Sequence, residues 1–150
     1  MQNIWQQLWE SRILLCTLTA WLTAQILKTL LYLMMNREWN WGRLVGAGGM
    51  PSSHAALVCS LAVSTWIHYG FSSFEFAVSL VLAVIVIHDA RGVRLETGKQ
   101  AKILNELMRS FQDREGGPFR DVYLKELVGH TPLQVAAGSL LGIIIALLYF

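Results

Sequence analysis

The feature that most constrains this chain is a set of long stretches without any charged residue. These stretches cover residues 13–27, 44–74 and 131–150. About 20 apolar residues in an α-helix are enough to cross a hydrocarbon core about 30 Å thick. Asp, Glu, Lys and Arg together make up 15% of the chain, whereas a soluble domain carries about 25%. The sequence therefore predicts an integral membrane protein.

The apolar runs predict an all-α membrane bundle that forms one domain over residues 1–150. About four membrane-embedded helices are expected, at about residues 13–35, 52–69, 74–89 and 131–150. Pro51 and the two serines after it make a good helix start, because proline suits the first turn and serine caps it. The last segment holds small residues of the kind that let membrane helices approach closely: Ala137, Gly138 and Gly142.

The distribution of basic residues predicts an orientation. Ten of the twelve lysines and arginines lie in the segments that join helices one to two and three to four. The positive-inside rule makes that side cytoplasmic, so both termini are expected outside. The polar insertion 90–129 is interpreted as a cytoplasmic helical hairpin, with an amphipathic helix over residues 96–112.

Two function classes are disfavoured at this point. A net charge of +2 is too small to predict a nucleic-acid partner. Cys16 and Cys59 lie in apolar stretches without the paired spacing of a zinc site or a disulfide framework. Both cysteines are therefore expected to be small buried residues.

Four polar clusters, distant in sequence, fall on the predicted cytoplasmic side. They are Lys28 with Arg37, residues 48–54, residues 88–94 and residues 125–132. A glycine-rich loop that enters a helix N-terminus presents N–H groups and the positive end of the helix dipole, which favours an anion. Arginines bind phosphate oxygens bidentately, and His54 and His130 could serve as acid and nucleophile. Together the clusters predict a phosphate site.

Each of these features also has an ordinary structural explanation. A histidine at a helix start, or a serine pair after proline, is commonly a cap or an interface residue. The glycines could only permit close packing, and Lys28 could extend towards the headgroups. The many charges of residues 90–129 are also those of a solvated hairpin. The meeting of all four clusters on one face is what favours a site.

Three strings carry a resemblance to a known family: GGMPSSHAALV, HDARGVRLETGKQAKILNEL and LKELVGHTPLQVAAGSLLG. In this order and spacing they resemble the divergent branch of the type 2 phosphatidic acid phosphatase family, also termed acid phosphatase/vanadium-dependent haloperoxidase-related. The resemblance covers about residues 25–142. It implies a phosphoric monoester hydrolase that acts through a phosphohistidine and needs no cofactor.

The family motifs imply roles for individual residues. Residues 51–54 resemble a Pro-Ser-Gly-His motif whose histidine protonates the leaving group, which makes His54 the implied acid. His130 resembles the histidine of the last motif, which attacks phosphorus. The implied phosphate-binding groups are those of Gly49, Ser52 and Ser53, and the side chain of Lys28 or Arg37.

The chain departs from the family pattern at three points. Gln134 stands four residues after His130, where the broader superfamily has an aspartate. An amide can orient an imidazole, but it does not stabilise imidazolium as a carboxylate does, and loss of such a carboxylate can cost orders of magnitude in rate. The arginine upstream of the last histidine is missing, and Lys125 is the nearest base. Lys28 and Arg37 are too far apart for the first motif.

Replacements for the missing groups could come from the polar insertion. Asp89 or Glu126 could supply the carboxylate. The missing cations could come from Arg91, Arg94 and Lys99. Alternatively, Asp89 and Glu126 could hold Mg²⁺, which prefers carboxylates, waters and substrate phosphate as ligands.

The leading hypothesis is a lipid-phosphate phosphatase at the cytoplasmic face. The candidate substrates are phosphatidic acid, phosphatidylglycerophosphate and a polyprenyl phosphate or diphosphate. One alternative is a non-catalytic protein that binds or transports lipid phosphate, which the Gln134 departure favours. Another is a structural subunit, which the small residues of the last helix favour. Membrane lipids are expected partners, and a thin four-span bundle is compatible with a homo-oligomer.

Overall fold

The computed structural model describes residues 3, 10–39, 41, 48–115, 123–124 and 130–150, with the side chains except those of 93–95 and 111–115. This part of the chain is helical and contains no strand. Its helices are α1 (Arg12–Asn36), α2 (Ser53–Tyr69), α3 (Phe74–Arg91), α4 (Val93–Glu115) and α5 (Pro132–Tyr149). The predicted all-α membrane bundle is confirmed.

Hydroxyl side chains begin the four apolar helices. Each accepts a hydrogen bond from a backbone N–H of the first turn, which would otherwise have no intrahelical acceptor. The four capping residues are Ser11, Ser52, Ser73 and Thr131. The helix starts are therefore encoded locally, by the residue just before each apolar run.

The burial pattern is that of a membrane protein. Small or polar side chains fill the interior, whereas large apolar side chains such as Leu22, Val84 and Ile144 are more than half exposed. Exposed apolar surface of this extent suits contact with lipid tails, not with water. Three helical stretches are long and apolar enough to cross a bilayer: α1, the stretch that begins at Phe74, and α5.

Helix α2 occupies the centre of the bundle and packs against α1, α3 and α5. Its 17 residues span about 26 Å. Rows of small buried residues spaced by four bring the backbones together: Ala20 and Ala24 on α1, Ala56 and Ser60 on α2, Gly138 and Gly142 on α5. A Cβ atom on Gly142 would overlap the carbonyl oxygen of Ala56. The α2–α5 contact is thus backbone against backbone.

Polar contacts tie the helices within the bundle. The Ser64 hydroxyl donates to the Cys16 sulfur at 3.3 Å, and the Thr65 and Ser79 hydroxyls lie 2.6 Å apart. At one end of the bundle, the Arg12 guanidinium donates to the Tyr149 carbonyl at 3.1 Å. The start of α1 and the end of α5 therefore lie side by side.

Helix α4 contains the predicted amphipathic segment 96–112 and packs on α3. Its buried Asn105 forms two hydrogen bonds with the backbone of Leu124, at 2.8 and 3.0 Å. This pair of hydrogen bonds holds Leu124 against α4. Residues 116–122 and 125–129 of the predicted hairpin lie outside the described residues.

Candidate active site

Two backbone hydrogen bonds join three of the predicted polar clusters at one end of the bundle. The Ser52 N–H donates to the Gln134 carbonyl, and the His130 N–H donates to the Ala90 carbonyl, both at 3.0 Å. The residue that caps α2 therefore meets the first turn of α5, and the segment just before α5 meets the last turn of α3. Arg12 and Tyr149 lie at the opposite end.

The two histidines singled out from the sequence lie next to each other. Their ring centroids are 5.9 Å apart and their planes cross at 61°. The His130 side chain is 2% exposed, and His54 is half-buried. Two imidazoles at this separation are near enough to contact a single phosphoryl group, one as nucleophile and the other as proton donor.

Gln134 orients the His130 ring through its side-chain oxygen. That oxygen accepts the Thr131 backbone N–H at 3.1 Å, which fixes which end of the amide is the oxygen. His130 Nδ1 lies 3.3 Å from the same atom. Because an amide oxygen can only accept, Nδ1 carries the proton and Nε2 keeps the lone pair; this tautomer is inferred from the contact. One atom thus caps α5 and orients the ring.

Burial lowers the pKa of His130 below its ordinary value of 6.5. The hydrogen bond with Gln134 raises this pKa, the nearby His54 and Lys28 charges lower it, and the backbone of Gly49 raises it. The effects that lower the pKa of His130 outweigh those that raise it. The neutral ring, which is the nucleophilic form, is favoured.

The titration of His130 is expected to have its midpoint below pH 6.5. The folded chain then binds a proton less readily than the unfolded chain does. This residue's contribution to stability is therefore complete above pH 6.5 and is lost as the pH falls from there through the folded-state pKa. NMR of histidine-labelled protein in detergent, assigned with His130→Asn, measures the midpoint. A value of 6.5 or higher would contradict this description of the site.

Lys28 brings a buried positive charge to the site from α1. It is 3% exposed, and its charge is close enough to affect His130. Gly49, in a left-handed conformation with φ +90°, lies over the aliphatic part of the side chain. A Cβ atom on Gly49 would be 3.1 Å from both Cγ and Cδ of Lys28. The glycine loop therefore fixes the Lys28 stem.

Gly49→Ala is expected to impair the site, whereas Gly70→Ala should affect stability alone. Both glycines have φ near +90°, so alanine is strained at either position by about 1–3 kcal/mol. A Cβ atom on Gly70 meets nothing within 4 Å, whereas one on Gly49 presses on Lys28. Binding of inorganic phosphate and thermal unfolding, measured on both variants, separate the two effects. Equal loss of phosphate binding in the two variants would show that the Lys28 contact is unimportant.

Ser52 and Ser53 are both buried, with exposures of 0% and 3%. The Ser52 hydroxyl accepts the Ala55 N–H at 3.3 Å, and the Ser52 backbone N–H is already bound to Gln134. The capping explanation of Ser52 therefore holds. Its hydroxyl hydrogen is the donor that it retains for another acceptor.

The other predicted phosphate-binding and carboxylate residues are less central. Asp89 is half-buried beside Ala90, and Arg91 is exposed at the end of α3. Arg37 is exposed and lies about 13 Å from Lys28 along α1. The Lys99 ammonium pairs with Glu96 at 2.6 Å, and both side chains are about 60% exposed. The Arg94 side chain, Lys125 and Glu126 lie outside the described residues.

The metal hypothesis concerned Asp89 and Glu126, and it stays a prediction. Within the residues described, no three side chains of His, Cys, Asp or Glu converge as metal ligands. Glu126 is not among those residues.

Sequence reasoning missed Gln25. Gln25 lies one turn before Lys28 on α1, is 4% exposed, and has a buried side-chain oxygen without a hydrogen-bond partner in the described part of the chain. A polar side chain inside a membrane helix is costly and commonly functional. The cost of placing an amide in this apolar run is the signal that the sequence offered.

Comparison with known proteins agrees with the resemblance found in the sequence. Residues 9–145 match the model of the Divergent PAP2 family. The chain is 38% identical over 143 residues to the uncharacterized membrane protein YuiD of Bacillus subtilis (strain 168), covering 89% of this chain and 90% of that protein. No solved structure matches. The predicted family is confirmed.

Proposed function

Because the chain belongs to the Divergent PAP2 family, we propose that it is a membrane phosphatase that hydrolyses a lipid phosphate through a phosphohistidine at His130. The observation that carries the proposal is the cluster of His54, His130 and the buried Lys28, contributed by three different parts of the chain. These groups attract an anion, and two of them can exchange protons. A purely structural cluster would not require two imidazoles beside a buried ammonium.

The first step joins His130 to phosphorus. The Nε2 lone pair attacks the phosphoryl group, a P–N bond forms and the P–O bond to the lipid alcohol breaks. His54 in its protonated form donates its proton to the leaving oxygen. The Lys28 charge offsets the negative charge on the phosphoryl oxygens, and the Ser52 hydroxyl can donate to one of them.

The second step releases phosphate. Neutral His54 takes a proton from a water molecule, whose oxygen attacks phosphorus as the P–N bond breaks. His130 leaves as neutral imidazole with the Nε2 lone pair restored, and His54 is protonated for the next cycle. The proton balance closes without a cofactor. Mg²⁺ held by Asp89 and Glu126 is the alternative that a metal-dependence test addresses.

The location of the site suits a substrate whose tail is in the bilayer. Helix α2 is a few ångströms shorter than a hydrocarbon core about 30 Å thick, so its first turn can lie near the headgroups. The excess of lysine and arginine on this side of the chain favours the cytoplasmic leaflet. The proposed substrates remain phosphatidic acid, phosphatidylglycerophosphate or a polyprenyl phosphate.

A panel of lipid phosphates tests the proposal. Purified protein in mixed micelles is incubated with each of the three lipids, with Mg²⁺ and with EDTA, and released phosphate is measured. We expect release from at least one lipid and its loss in His54→Ala and His130→Ala. Release unaffected by both substitutions, or none from any lipid under either condition, would contradict the proposal.

Gln134 favours a second candidate function, the binding or transport of lipid phosphate without hydrolysis. Its neutral oxygen, 3.3 Å from Nδ1, supports the imidazolium less than a carboxylate would. In that case lipid phosphate should bind without turnover, and His130→Gln should leave binding unchanged while Arg91→Ala weakens it. Turnover by the wild-type protein excludes this alternative.

A further inference from the structure

An open groove of about 340 Å³ runs between α2, α3 and α5 in the membrane-embedded part of the bundle. Its walls include Ala62 and Trp66 of α2, Leu80, Val84 and Ile87 of α3, and Ile143 of α5. Apolar and aromatic residues line the groove throughout. Such a lining offers almost no polar group to a ligand, and the groove opens towards the lipid.

Aromatic rings close the end of the groove remote from the histidines. The ring centroids of Trp66 and Phe71 are 4.7 Å apart, and those of Phe71 and Phe76 are 5.3 Å apart. Phe71 lies in the turn between α2 and α3. This aromatic cluster limits the length of a molecule that the groove can hold.

The other end of the groove leads to the candidate site. Ile87 follows Leu80 by about two turns of α3, and Ala90 follows Ile87 by three residues, so the three lie along one side of the helix. The Ala90 carbonyl accepts the His130 N–H. On α2, the groove residue Cys59 lies two turns after Ser52, the other anchor of the site. Both walls therefore continue into the residues that hold His130.

We propose that the groove holds one hydrocarbon chain of the lipid phosphate, with the phosphate at His130 and the tail end at the aromatic cluster. The proposal rests on the proposed function and names its substrate class, a phosphate ester of a long alkyl or prenyl alcohol. From Phe76 to Ile87 the groove wall extends about 16 Å. A single hydrocarbon chain can lie along a groove of this length, whereas the groove is too small to enclose a whole helix about 10 Å across.

The groove is expected to position the substrate instead of increasing its affinity. Lipid tails in the bilayer are already in apolar surroundings, so transfer into the groove brings little hydrophobic gain. A tail held in one place nevertheless orients the phosphate towards Nε2, and misplacement by about 1 Å can cost about a hundredfold in rate. Water-soluble phosphate esters cannot use this advantage.

Two substitutions on α3 form a matched pair for the test. Val84 lines the groove and is 61% exposed, whereas Val81 is 58% exposed and lies outside the lining. Val84→Trp should lower kcat/KM for hexadecyl phosphate about tenfold, with p-nitrophenyl phosphate hydrolysis unchanged. Val81→Trp should leave both activities unchanged. Equal effects of the two variants on hexadecyl phosphate hydrolysis would overturn the proposal. If circular dichroism shows that Val84→Trp is misfolded, Leu80→Trp is used in its place.

Photolabelling provides a measurement that does not depend on hydrolysis. Hexadecyl phosphate with a diazirine in mid-chain is bound to wild-type protein and both variants, irradiated, and the labelled residues are located by mass spectrometry. Label on groove residues of α2 and α3, displaced by hexadecyl phosphate but not by hexadecanol and reduced only in Val84→Trp, supports the proposal. The same labelling without any hydrolysis would refute the proposed phosphatase activity but would still support binding of the tail in the groove. Hydrolysis with label spread over all lipid-facing residues would refute only the proposal that the groove holds the tail.

Discussion

Replacement of His130 by alanine is expected to lower the rate of phosphate release by about a thousandfold or more, because the proposed nucleophile is removed. Its ring is buried and oriented, and burial keeps it neutral. The measurement is steady-state hydrolysis in mixed micelles. His68→Ala is the matched control, since His68 lies at the opposite end of the bundle, where its ring contacts that of Phe150. Full activity in His130→Ala would refute the assignment.

The substrate's leaving group separates the roles of the two histidines. His54→Ala is expected to cost about 10²–10⁴-fold with an alkyl phosphate, whose alkoxide leaves poorly without a proton. With p-nitrophenyl phosphate, whose leaving group needs no acid, most of this loss should disappear from the first step, measured as the burst of p-nitrophenol, whereas the second step still lacks its base. His130→Ala should remain inactive with both substrates. Recovery of both variants, or of neither, would show that the two roles have been assigned wrongly.

Gly142→Ala is expected to destabilise the bundle by about 3 kcal/mol and to reduce activity with it. The added Cβ would overlap the carbonyl oxygen of Ala56 and would lie 2.9 Å from its Cα. Because the overlap is with backbone, Ala56→Gly should not rescue it. The separation of α2 from α5 would also strain the hydrogen bond between Ser52 and Gln134.

Unfolding by SDS, followed by circular dichroism, measures this effect. Ala136→Val is the control, because Ala136 is on the same helix and is exposed. It should change the unfolding free energy by no more than about 0.5 kcal/mol. Equal stability of Gly142→Ala and the wild-type protein would mean that the two helices are farther apart than described here.

Much of the fold was predictable because charges mark the ends of membrane helices. The uncharged stretches and the Ser and Thr caps identify the apolar helices without any knowledge of tertiary contacts. The groove was not predictable in this way. Residues 76–87 of α3 are apolar on every side except at Ser79, so the periodicity that reveals a buried face in soluble proteins is absent.

The site was predictable in its histidines but not in its cations. The buried state of Lys28 depends on Gly49 packing over its stem, a contact between distant parts of the chain. Arg37 and Lys99 were expected to bind phosphate. Continuation of α1 to Asn36 leaves Arg37 far from Lys28, and the neighbouring Glu96 provides Lys99 with a local partner. Competition between local and long-range partners is not visible in sequence.

The sequence shows Gln134 as a departure from the family pattern, but it does not show that Gln134 also caps α5. Thr131 and Gln134 form a capping box, so the residue that orients His130 also begins α5. Spacing indicates each relationship separately. The use of one oxygen atom for both became visible only in the structure.

Trapping of the covalent intermediate tests the central claim most directly. The protein is mixed with ³²P-labelled lipid phosphate, quenched within milliseconds in alkali, and the labelled peptide is identified by mass spectrometry. We expect an alkali-stable, acid-labile phosphoryl group on His130, absent from His130→Ala. Hydrolysis without any label on His130, or with the label on another residue, would contradict the account.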